Sequence, residues 1–216
     1  LMAKDIFRFH AIIWPALLIA SGYEIPEKLF IHGYFTISGV KMSKSIGNVI
    51  DPIELSKVYG VDALRYFLFR EVPFGEDGDF SIDRFESRYK ADLANDLGNL
   101  VQRVIALAAK HNIEWDYLVT ENKYTSINES VENLKFSEAL NSIWALITEA
   151  NKQIDMEKPW VLVKTNPEKF KLLISGLMQV LADLSNLIQP FMPETSRKII
   201  DQLKSKNFQP LFPRKK

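Results

Sequence analysis

Cysteine is absent from the 216 residues, which excludes a disulfide framework and any thiolate metal site. Histidine is scarce: His10, His32 and His111 stand far apart without ligand-like spacing, so no structural metal is expected. Charge of one sign is missing as well. Lys+Arg and Asp+Glu both number 27, for a formal net charge of zero, so overall charge announces no nucleic-acid partner. Any such binding has to rest on local patches and on side chains that recognise bases. No apolar run looks long enough to cross a bilayer, and no charged-then-apolar leader opens the chain. These absences fit a cytoplasmic protein. Residue 1 is leucine and helical patterning starts at once, which reads as a portion of a longer protein.

What is present is an ordinary globular balance of 47% hydrophobic and 25% charged residues. The length suits one large or two modest domains. Residues 3–20 read as a mostly buried helix that ends at Ser21-Gly22, with Pro15 kinking or dividing it. Residues 29–37 are rich in β-branched and aromatic side chains and read as one strand. Asp51-Pro52 is a capped helix start, followed by a short helix through Tyr59 and a second at 61–70. Residues 72–81 form a turn-rich connector with two glycines and a proline.

Beyond Ser81 the pattern becomes long and amphipathic. In 88–111 the apolar positions Leu93, Leu97, Leu100, Val101, Val104, Ile105 and Ala108 follow the helical period. A second helix is expected over about 126–155, a third from Asn166-Pro167 to Gln189-Pro190, and a last one from Pro193 through Leu203. The second half is therefore a helical bundle.

The stretch with most chemistry is 39–48, Gly-Val-Lys-Met-Ser-Lys-Ser-Ile-Gly-Asn. Two lysines three apart, hydroxyls between and after them, and flanking glycines suit a turn that grips phosphate oxygens. A solvated basic turn has the same composition. Helix, strand and then such a loop is also the order at the end of a nucleotide-binding α/β domain.

Residues 41–45 resemble the lysine-rich signature loop of class I aminoacyl-tRNA synthetases, and the surroundings resemble the methionyl family within that class. The resemblance rests on Asp5-Ile6, Arg8-Phe9-His10 and Trp14-Pro15-Ala16 before the loop, and on His32-Gly33-Tyr34 leading into it. It continues in Asn48-Val49-Ile50-Asp51-Pro52, Arg70-Glu71-Val72-Pro73-Phe74-Gly75 and Asp77-Gly78-Asp79-Phe80-Ser81, and spans essentially the whole chain in order. Ala3, where the family usually has glycine, and Ile13, where an aromatic is common, are small departures. The family's upstream ATP signature, half of its methionine pocket and its inserted domain have no counterpart here.

The resemblance implies a mainly α chain. Residues 1–40 would end a Rossmann-like catalytic domain, 41–85 would hold the signature loop and connective helices, and 86–216 would form a bundle that binds the anticodon. It implies ATP with Mg2+, methionine and tRNA(Met) as ligands of the complete enzyme, no membrane, and an inactive chain when the missing N-terminal half is absent. Lys44 would lead in stabilising the charge that develops on ATP, with Lys41 supporting it or merely solvating the turn. Ser43 and Ser45 would donate to the loop or the phosphates. His32, Gly33 and Phe35 would meet the adenine through the backbone, Phe35 being equally compatible with a core role. His10 and Trp14, four apart on one helix face, are either a packed core pair or, as the resemblance implies, a wall of the methionine pocket. Asn99 and Arg103, one turn apart with Asn95 on the same face, are an ordinary polar shoulder unless they read a base edge and hold its phosphate. Trp160, set by the helix start at Pro159, either lids the bundle or stacks on a base. In the family these three positions match residues that read the CAU anticodon, the tryptophan stacking on the cytosine. A stand-alone RNA-binding module and another class I synthetase of the same subgroup are the alternatives. The intact lysine pair speaks against the first.

Overall fold

A computed structural model describes residues 1–42, 49–116 and 123–213. The chain is mainly helical. It opens with strand β1 (Met2–Ala3), which pairs in parallel with β2 (Ile31–His32), so the helical stretch between them is the crossover of a βαβ unit. That stretch starts with a 3-10 turn at Lys4–Ile6, widens into π-type turns at Phe9–Ile13 and ends as α1 (Trp14–Ala20). Pro15 is the cause of the widening. It lacks an N–H and its ring displaces the carbonyl four residues back, which a wider turn accommodates.

This crossover is not buried as its apolar sequence suggests. Phe9, Ile12, Leu17 and Ile19 are all more than half exposed. Its apolar side is open to solvent.

The expected single strand at 29–37 is two. After β2 the chain bends at Gly33-Tyr34 and resumes as β3 (Phe35–Ile37), in a different sheet with β4 (Val40–Lys41) and β5 (Gly78–Asp79). The bend is packed against a segment distant in sequence. A Cβ on Gly33 would lie 2.0 Å from the Glu76 carbonyl oxygen, so the 76–77 peptide occupies the space that any side chain would need. Gly33→Ala is expected to destabilise the chain by about 1–3 kcal/mol, the usual cost of forcing extra atoms into packed surroundings. Gly176→Ala, in a helix and with nothing within 4 Å, is expected to gain about 0.5–1 kcal/mol. Thermal midpoints of the two variants measure the contrast.

Connective helices α2 (Pro52–Tyr59) and α3 (Val61–Glu71) follow, α2 being capped by Asp51 Oδ1, which accepts from the Ile53 amide at 2.8 Å. After β5 comes one long helical run made of α4 (Ile82–Arg88), a π-type stretch at Tyr89–Gly98 and α5 (Asn99–Lys110). The stripe of Leu93, Leu97, Leu100, Val101, Val104, Ile105 and Ala108 is fully buried. The helix expected at about 126–155 is broken into α6 (Thr125–Glu132) and α7 (Phe136–Glu157). Leu134 takes a left-handed φ of 59°. The Lys135 and Leu134 amides donate back to the Ser130 and Val131 carbonyls. That is a Schellman stop built without the usual glycine.

The run closes with α8 (Pro159–Thr165), α9 (Pro167–Ile188) and α10 (Pro193–Ser205). Among the described residues, α9 is the one helix long and apolar enough to pass as a membrane span by length and composition. Its apolar face is the bundle's centre: Ile174, Leu177, Met178, Leu181, Leu184 and Ile188 are buried.

Helix α3 fastens the first half to the bundle. Arg65 donates to the carbonyls of Phe191 and Pro190 at 2.8 Å each, and Asp62 accepts from the Thr195 amide at the start of α10. Tyr66 donates to Asp92 at 2.7 Å, with its ring 4.3 Å from that of Trp144. Burial first, and then the Asp92 carboxylate, hold the Tyr66 phenol far above its ordinary range, so it stays a donor.

Candidate functional site

Strands β3 and β4 form a hairpin joined by Ser38 and Gly39, both with positive φ, 52° and 74°. Two such residues make the turn whose twist matches that of paired strands. Thr36 faces Lys41 and Ile37 faces Val40. Lys41 therefore ends a paired strand, and its backbone leads into the lysine loop. Its side chain, Ser43, Lys44 and Ser45, and the basic tail Arg214-Lys215-Lys216, lie outside the described residues.

Sequence reasoning passed over what holds this hairpin. Strand β5 docks alongside β3 in parallel, Phe35 facing Gly78 and Thr36 facing Asp79. The two flanking aspartates act as clips. Asp77 accepts from the Tyr34 amide at 2.7 Å and from the Lys4 ammonium at 2.5 Å. Asp79 Oδ1 accepts from the Thr36 hydroxyl at 2.8 Å and from the Gly39 amide at 2.9 Å. The Gly39 amide and then Thr36 hold the Asp79 carboxyl below its ordinary value, and Lys4 and then the Tyr34 amide do the same for Asp77. Depressed carboxyls lend their support above the ordinary carboxylate range and lose it as pH falls through the lowered values, so both clips are closed at neutral pH. The motif Asp-Gly-Asp was legible as a turn signal and as part of the resemblance; nothing local says that it pairs with residues some 40 positions earlier.

His10 and Trp14 do share a face. Their rings meet edge-on with centroids 6.3 Å apart, and with Phe9, Ile13 and Leu17 they line an open apolar hollow of about 460 Å³. His32 and Gly33, with Tyr34 and Phe35, line a separate hollow of about 300 Å³ against Phe69, Phe74 and Phe136. The His32 ring bonds through Nδ1 to the Gly33 carbonyl at 2.9 Å, which as an N–H it donates to, fixing the ring over the bend. His10–Trp14 and His32–Phe35 thus line two distinct hollows in the first half.

The second constellation is on the bundle. Asn99 opens α5 exposed, and Arg103 follows one turn later. Arg103 pairs with Asp155 at 2.5 Å, which ties its guanidinium to the last turns of α7. Helix α7 stops at Lys158, left-handed at φ 46°. Pro159 is buried there and starts α8, leaving Trp160 51% exposed. About half of this residue is therefore open to solvent. A groove of about 670 Å³ runs beside Asn95 and Asn99, walled by Gln102, Phe208 and Phe212. Amides, a guanidinium held by one partner, and an open aromatic face are the groups that recognise unstacked bases. Asp155, which orients the arginine, was not anticipated from sequence.

Two family models tile the chain: one for class I tRNA synthetases (M) over residues 1–105, and one for the anticodon binding domain of methionyl tRNA ligase over 108–215. Among curated relatives, the methionine–tRNA ligase of Caldanaerobacter subterraneus subsp. tengcongensis is 45% identical over 94% of this chain and 34% of its own length. That of Clostridium perfringens is 44% identical over 95% of this chain and 34% of its own length. A solved structure of Mycobacterium tuberculosis methionyl-tRNA synthetase bound by methionyl-adenylate superposes with a TM-score of 0.85 at 37% identity, covering 93% of this chain and 43% of that one. The chain spans about a third of the length of the curated relatives it matches.

Proposed function

This chain belongs to the methionyl-tRNA synthetase family, and on that premise we propose that it carries the phosphate-gripping end and the anticodon reader of a methionine–tRNA ligase. On this reading 1–40 closes the catalytic domain, 41–85 holds the lysine loop and its connectors, and 86–216 reads tRNA. The complete enzyme activates methionine with ATP to methionyl-adenylate and transfers it to tRNA(Met). Alone, the chain is inactive. The exposed apolar side of the helix at 4–20 then faces the remainder of the catalytic domain, with His10 and Trp14 on the methionine side. Lys44 and Lys41 meet the triphosphate, Ser43 donates to it, and the backbone of His32, Gly33 and Phe35 borders the adenine. Among the described residues no three His, Asp or Glu side chains converge as a metal cradle; Mg2+ comes with the nucleotide's own phosphates. A cytoplasmic location is expected of such an enzyme.

The observation that carries the reading is the pairing, in one chain, of a hairpin-borne lysine loop with the Asn99, Arg103 and Trp160 surface. A stand-alone RNA module has no evident use for the lysine pair. The chain itself supplies the test of the RNA half. Titrated with anticodon stem-loops, it is expected to bind a CAU loop better than one whose cytosine is replaced. Equal affinity for the two removes the anticodon assignment.

A further inference from the structure

We propose that Asp79 is a positioning residue for the lysine loop, acting through the hairpin that delivers Lys44 to the triphosphate; the inference rests on the catalytic reading of Lys44. The hairpin has only two cross-strand pairs, Thr36 with Lys41 and Ile37 with Val40. A two-stranded ribbon this short has no independent stability in water, so its direction has to be set from outside. One carboxylate oxygen does this at two points. Asp79 Oδ1 takes the Thr36 hydroxyl from strand β3 and the Gly39 amide from the turn, while the Phe80 amide donates to the Thr36 carbonyl at 2.8 Å. The bonded Gly39 amide lies in the turn itself, two residues before Lys41. Once the turn and β3 are fixed, the two residues of β4 have one exit direction. Asp79 is only partly buried and lies outside the bundle core, so this role is separable from holding the fold together.

The consequence is specific to catalysis. A displacement of about 1 Å at a catalytic group can cost about 10²-fold in rate. In the chain joined to the N-terminal portion of the Caldanaerobacter relative, Asp79→Ala is expected to lower kcat for methionine-dependent ATP–pyrophosphate exchange about 10- to 100-fold. The KM for methionine and the thermal midpoint stay at the parent values. Asp79→Asn, whose amide oxygen still accepts both bonds, retains most of the rate. In a Lys44→Ala background, Asp79→Ala adds little further loss, because a residue that acts through Lys44 has nothing left to place. An equal Asp79→Ala factor with and without Lys44 overturns the proposal. A Lys44→Ala variant with parental exchange overturns the catalytic reading itself, and the positioning role with it. Amide hydrogen exchange on the chain alone reads the clip without any chemistry: Asp79→Ala is expected to speed exchange at Gly39 and leave α5, α7 and α9 protected. Unchanged Gly39 protection contradicts the clip whatever the enzyme does.

Discussion

Lys44→Ala, in the chain joined to an N-terminal catalytic portion, is expected to slow methionyl-adenylate formation by about 10²- to 10³-fold, the usual cost of removing one preorganised charge-stabilising group. Methionine affinity is expected to change little. The methionine carboxylate attacks the α-phosphorus of ATP, and the bond to pyrophosphate breaks as the new one forms. Negative charge grows on the phosphate oxygens during that exchange. A lysine that meets those oxygens late contributes to the transition state and not to the bound ground state, so its loss lowers turnover and leaves binding intact. Lys44→Arg is expected to restore little of the rate, since a planar guanidinium fork approaches a phosphate differently from a compact ammonium. Methionine-dependent pyrophosphate exchange measures the loss, and a parental rate in the variant removes Lys44 from the chemistry.

Trp160→Ala carries the second large effect, and it is read on the chain alone. Trp160 is 51% exposed and follows buried Pro159 at the start of α8. An open ring at such a start loses little entropy when a base stacks on it. Such stacking is worth about 1–3 kcal/mol, so affinity for a CAU stem-loop is expected to fall about 5- to 150-fold, and most of the preference for cytosine is expected to go with it. The fold should not register the change, because few contacts are lost. A variant that still prefers the CAU loop over a cytosine-substituted one shows that the ring reads nothing.

How much of this could be seen in the sequence divides along a physical line. The bundle was legible because its burial repeats with the helical period: every residue of the stripe from Leu93 to Ala108 is buried as the spacing required. Caps were legible for the same local reason, as at Asp51 and Asn166, whose side chains accept from amides two and three residues on. The stop at Leu134 was not, since a leucine in the left-handed region breaks the rule that glycine or asparagine marks such a place. The division of 29–37 was invisible because the cause lies at Glu76, more than 40 residues away. The same distance hid Asp79. Burial at residues 3–20 was misjudged because an apolar stripe does not say whether its partner lies in the chain. The lysine loop and the Asn99, Arg103 and Trp160 set were found by resemblance, and spacing alone would have left each of them an ordinary surface feature.

The central claim is that the lysine loop and the base-reading surface belong to one methionine-specific ligase. Pyrophosphate exchange driven in turn by methionine, isoleucine, valine, leucine and cysteine, with the chain joined to an N-terminal catalytic portion, tests it most directly. Exchange with methionine alone is expected, abolished when either half is omitted. Exchange driven by one of the other four amino acids, or none at all from a folded protein that still binds the CAU stem-loop, would contradict it.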